Sequence, residues 1–129
     1  MTVEMQMLVW SVVLGLVVLA IATTATLAQC GLGWMAGPRD GTPIVLTGMA
    51  GRLDRANANF LATFAFFAAA VLAGYVMQRH SSTTALGAQL YFWARVVYVP
   101  VYALGIPYLR TLVWTVSIVG IVMLVTPLF

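Results

Sequence analysis

"RLDRANANFLATFAFFAAAVLAGYVM", residues 52–77, places two arginines, an aspartate and two asparagines in its first eight positions and then no charge before Arg79. The uncharged run after Arg55 exceeds the roughly 20 residues that a helix needs to cross a bilayer. The stretch therefore reads as a membrane-spanning helix with a polar head at one face.

The rest of the chain follows the same pattern. Of 129 residues, 63% are hydrophobic and 7% charged, and the mean hydropathy is +1.02, far outside the range of a water-soluble globular domain. Charges fall only at Glu4, Arg39, Asp40, Arg52, Asp54, Arg55, Arg79, Arg95 and Arg110. The intervals between them hold four spans, at about residues 7–28, 50–77, 84–104 (with Arg95 inside) and 108–127. The expected fold is an all-α integral membrane protein, one four-transmembrane-helix bundle over residues 1–129. A chain of this length with such short connections leaves no room for a second core.

The first span is expected to be retained and not cleaved as a signal peptide, because its head carries Glu4 and no basic residue and its apolar run is long. One cysteine, Cys30, and one histidine, His80, give no internal disulfide and no metal-ligand set. With the spans laid up and down, the first and third connections hold Arg39, Arg52, Arg55 and Arg110 against Arg79 alone on the other side. The positive-inside rule then puts these two connections in the cytoplasm and both termini in the periplasm of a bacterial inner membrane.

"CGLGWMAGPRDGTPIVLTGMAG", from Cys30, reads as the one long irregular connection, with Trp34 and Met35 suited to the headgroup region. "RHSSTT" is a tight turn after which Thr83 or Thr84 is expected to cap the third helix. "GIPY" ends the third helix and starts the fourth, since proline has no amide hydrogen to continue the ladder.

Arg52, Arg55 and Asn59 stand at i, i+3 and i+7, on one helix face. Arg95, Tyr98 and Tyr102 repeat that spacing in the third span. Counting outward from Ser81 puts Asn59 nearly level with Tyr102, with Arg55 above it and Arg95 about 10 Å deeper. Arginine in a span costs about 2.5–3.5 kcal/mol on insertion scales, and the only acids, Glu4, Asp40 and Asp54, belong near the membrane surfaces. Carbonyls freed by Pro100, tyrosine hydroxyls or an anionic ligand are the remaining partners, and a polar cavity is expected at Arg95. Arg52 and Asp54 read equally well as a solvated helix end. Tyr91, Trp93 and Tyr108 are expected in packing or at the interface, His80 in an exposed turn, and Cys30 as a small apolar residue at a helix end.

"RANANFLATFAFF", residues 55–67, and "LYFWARVVYVPVYALGIPYLR", residues 90–110, resemble the two signature segments of MAPEG proteins, the membrane-associated proteins in eicosanoid and glutathione metabolism, in particular their small bacterial branch. The resemblance implies a homotrimer of four-helix subunits with a glutathione site between neighbours, open to the cytoplasm. It implies transferase or peroxidase chemistry with glutathione as a substrate and lipophilic small molecules or lipids as the second. Arg55, Asn59, Arg95, Tyr98 and Tyr102 match the family's glutathione-binding residues. Arg110 resembles the arginine that faces the sulfur, and with Tyr98 it would favour the thiolate. Where the family commonly carries N-x-x-E-x-x-P, this chain has Ala62 and Ala65 in the places of the glutamate and the proline. A non-catalytic relative of the same fold, binding a lipid or serving as an accessory subunit of a larger membrane complex, is the alternative reading. A small multidrug transporter needs a membrane-embedded carboxylate, which the spans lack, and six scattered arginines make no patch for nucleic acid.

Overall fold

The computed structural model describes residues 2–41 and 44–129. Among these, the helices are α1 (Val3–Cys30), α2 (Leu32–Ala36), α3 (Gly48–Val76), α4 (Ser82–Ala103) and α5 (Pro107–Val125), followed by a single 3-10 turn, Thr126–Leu128. Thr42 and Pro43, in the first connection, lie outside the described residues.

Val3–Cys30, Gly48–Val76 and Pro107–Leu128 are long and apolar enough to cross a membrane. The other long helix, α4, carries Ser82, Thr83, Thr84, Gln89 and Arg95, which hold its hydropathy down. It packs most closely on α5, while α1 lies against both α3 and α4.

Local chemistry explains where the helices stop. Ser81, and neither Thr83 nor Thr84, is the N-cap of α4. Its side chain accepts from the Thr84 amide at 3.3 Å, and Thr84 Oγ1 accepts from the Ser81 amide at 2.9 Å. That reciprocal pair satisfies two amides at once, which neither threonine could do as the cap. At the far end of α4, Gly105 takes φ 74°, and the amides of Gly105 and Ile106 donate back to Tyr102 and Val101, closing the helix with a Schellman motif. Pro107 then supplies the preset φ of the first position of α5. The end of α1 is tied to the start of α3 by the Gln29 amide, which donates to the Thr47 carbonyl at 2.8 Å and accepts from its N–H at 3.2 Å.

The core holds polar groups that a bilayer would not satisfy. The Thr63 and Tyr91 hydroxyls lie 3.0 Å apart, and the Tyr91 ring stacks on Phe67 at 4.0 Å, so Tyr91 is a packing residue as expected; Trp93 and Tyr108 lie at the surface. Between α4 and α5 the backbones touch at two glycines: a Cβ on Gly120 would stand 2.5 Å from the Gly87 carbonyl oxygen. Small residues at a helix contact permit such close approach of the two backbones.

Glu4 belongs to a helix start, yet it is only 6% exposed. Thr84 Oγ1 donates to its carboxylate at 2.8 Å, and His80 Nδ1 stands 3.8 Å away, within an otherwise exposed turn. Cys30 is the half-buried last residue of α1.

Candidate functional site

The site forms where the start of α3, the end of α4 and the start of α5 meet. Ala56 is fully buried against Tyr98 and Tyr102, so small size at that position lets the arginine-bearing face of α3 approach the tyrosines of α4. Tyr98 and Tyr102, one turn apart, have ring centroids separated by 5.5 Å.

Three guanidinium groups gather on these two rings. Arg55 Nε donates to the Tyr102 hydroxyl at 3.1 Å. Arg110, from α5, lies over the same ring, its Cζ 4.9 Å from the centroid. Arg95 stacks on Tyr98 at 4.2 Å and on Phe60 at 5.7 Å. Each contact is a cation–π pair, worth about 0.5–1 kcal/mol when exposed and about 2 kcal/mol when desolvated. Arg95 is the most deeply held of the three, at 1% exposure, and none of its nitrogens has a hydrogen-bond partner. Neither the carbonyl freed by Pro100 nor a tyrosine hydroxyl serves it.

A cavity of 280 Å³ opens beside the tyrosines, lined by Asn59, Tyr98, Tyr102, Arg110, Thr111 and Trp114. Four of the six residues singled out in the sequence therefore line it. Arg55 and Arg95 do not line it: Arg55 is held on the Tyr102 hydroxyl and Arg95 on the Tyr98 ring. Asn59 Oδ1 is buried without a partner, an acceptor available to a ligand N–H. Thr111 and Trp114 were not singled out; the i+1 and i+4 positions after Arg110 were the available signal, since Trp114 follows it by one turn.

The helix register differs from the expected one. Thr63 meets Tyr91, Phe60 meets Arg95, and Arg52 Nε donates to the Ala103 carbonyl at 2.9 Å, so Arg55, and not Asn59, pairs with Tyr102. Counting from Ser81 assigned the entire turn 77–81 to one side, whereas α3 stops at Val76 and α4 begins at Ser82. By these contacts the offset is about one and a half to two helical turns, about 8–12 Å at 1.5 Å per residue. Arg52 thereby acquires a structural task, bringing positive charge to the C-terminal carbonyls of α4, while Asp54 faces a separate cavity shared with Cys30, Trp34 and Arg39.

The assembly can attract an anion, orient it between planar donors and aromatic faces, and hold an ionising group beside a phenol hydroxyl. A family model, that of the MAPEG family, matches residues 7–128. No curated protein matches the chain.

Proposed function

The chain belongs to the MAPEG family and is an integral membrane protein, and from that premise we propose that it binds glutathione or a related anionic thiol at the cavity beside Tyr98 and Tyr102. The observation that carries this reading is the buried guanidinium of Arg95, left without a hydrogen bond behind a polar cavity. An uncompensated buried charge is costly, and an anion in the cavity offsets it.

In this reading Arg110 grips a ligand carboxylate with charge-assisted hydrogen bonds, Arg55 contributes to binding by fixing the Tyr102 hydroxyl beside it, Asn59 accepts from a ligand amide, and Arg95 supplies positive potential through Tyr98. A thiol with a pKa near 8.5 is mostly protonated at neutral pH. Arg110 and the Tyr98 hydroxyl stabilise its thiolate. The thiolate sulfur then bonds to an electrophilic carbon of a lipophilic molecule arriving from the bilayer, displacing a leaving group that departs with the electron pair; the thiol proton passes to water. Four spans, α1, α3, α4 and α5, form one domain in this reading, three copies assemble with the site near their boundary, and the connections bearing Arg39, Arg52, Arg55 and Arg110 face the cytoplasm of an inner membrane.

The test is thermal unfolding of the detergent-purified chain over a series of glutathione concentrations. A saturable rise in Tm that disappears in Arg95→Leu is expected. A flat response to millimolar glutathione, with the wild-type assembly intact, overturns the transferase reading.

One observation favours a second reading. Ala62 is exposed at the place where the resemblance puts a glutamate, and an apolar groove of 430 Å³ runs between α4 and α5 along Leu86, Leu90, Trp93 and Val97. A non-catalytic subunit that binds a lipid chain there, alone or in a larger membrane complex, retains the fold without conjugation, and the flat response above is its expected signature.

A further inference from the structure

Resting on the binding reading above, we infer that the site selects an anionic thiol whose amino group is absent or acylated over one that carries a free ammonium.

Charge balance drives the inference. Arg55, Arg95 and Arg110 converge on the two tyrosine rings, and none has a carboxylate within salt-bridge distance; among the described residues the one ion pair is His80 with Glu4. That pair sits at the start of α4, beside Thr84. Tyr102 lies 18 residues along the same helix, about 27 Å away at 1.5 Å per residue. Asp54, the acid nearest in sequence, lines the other cavity, with Cys30 and Arg39. Within one chain, no acidic side chain among the described residues lines the cavity at Tyr98 and Tyr102. One turn beyond Asn59, the side chain that faces outward is the methyl group of Ala62.

A ligand carboxylate entering this cavity meets donors on several sides. An ammonium on the same ligand meets Arg110 in the cavity wall, with Arg55 and Arg95 held on the rings beside it, no anion and one amide oxygen, so it loses its water without gaining a charged partner. Acylating that nitrogen removes the charge and leaves an amide N–H, which the unpartnered Asn59 Oδ1 can accept. The preference follows from the same rule that makes a missing buried partner more decisive than an additional contact.

The experiment compares three probes on the full chain in detergent by titration calorimetry: glutathione, N-acetylglutathione, and glutaryl-cysteinylglycine, which is glutathione with its ammonium replaced by hydrogen and both carboxylates kept. The deaminated probe is expected to bind tighter than glutathione by about tenfold or more, the equivalent of one lost charge-assisted hydrogen bond. Saturable binding in which glutathione equals or exceeds it overturns the inference and leaves the binding reading standing. No saturable binding of any probe up to about 10 mM, a few kcal/mol of affinity, overturns both. In Ala62→Glu the order is expected to move back toward glutathione by a similar factor; an unchanged ratio in the folded variant also counts against the inference.

Discussion

Arg95 carries an unusual burden for one residue, because its guanidinium is buried, stacked between Phe60 and Tyr98, and unpartnered at every nitrogen. Removing it leaves no orphaned partner behind. Arg95→Leu is therefore expected to raise the stability of the ligand-free protein by about 1–2 kcal/mol, the relief of an unpaired charge less the lost cation–π contact, while abolishing the glutathione-dependent rise in Tm. Thermal unfolding with and without glutathione separates the two effects. Tyr91 is the contrasting case. In Tyr91→Phe the stack on Phe67 remains, and the Thr63 hydroxyl still reaches the Phe60 carbonyl at 3.1 Å. A loss of about 0.5–1.5 kcal/mol is expected, with ligand response unchanged.

Helix ends and helix contacts set the next scale. Gln78 closes α3 with φ 55°, its amide donating to the Tyr75 carbonyl and that of Arg79 to the Gly74 carbonyl. This is a left-handed position that suits glycine, so Gln78→Gly is expected to stabilise the chain by about 1 kcal/mol, measured by denaturation in mild detergent. At the α4–α5 contact the sign reverses. A side chain on Gly120 collides with the Gly87 carbonyl and with the Tyr91 amide at 2.9 Å, and backbone cannot yield as a side chain can. Gly120→Leu is expected to separate the two helices, at a cost of about 3 kcal/mol or more, and to take Tyr98 and Arg110 apart with them. Loss of both Tm and glutathione response in this variant, far from the cavity, distinguishes a packing defect from a site defect.

For the whole molecule, the testable quantity is the number of copies. Native mass spectrometry from detergent is expected to show three chains of 13.9 kDa, and a persistent monomer removes the proposed boundary site. Ligand binding should also weaken as salt rises from about 0.05 to 0.5 M, since a cationic cavity open at its mouth is screened.

Much of this was legible in the chain alone, for a physical reason. Three apolar spans and the stop after α4 are local signals, hydropathy over some twenty residues and a glycine before Ile106-Pro107, whereas the cap of α4, expected at Thr83 or Thr84, is Ser81. The 3.6-residue repeat was equally local, so Arg55 with Asn59 and Arg95 with Tyr98 and Tyr102 could be assigned to two polar faces. Packing decided what lies opposite what. A turn whose residues divide differently between two helices slides the antiparallel pair, which put Arg55 on Tyr102 and turned Arg52 into a cap for α4, while the packing of α5 brought Thr111 and Trp114 to the cavity beside Arg110. Burial was likewise a tertiary matter: Glu4 stands at a helix start, where sequence favours solvent, but α4 delivers Thr84 to its carboxylate and closes over it. Periodicity fixes directions around one helix axis, whereas depth and partner depend on how several axes are placed together.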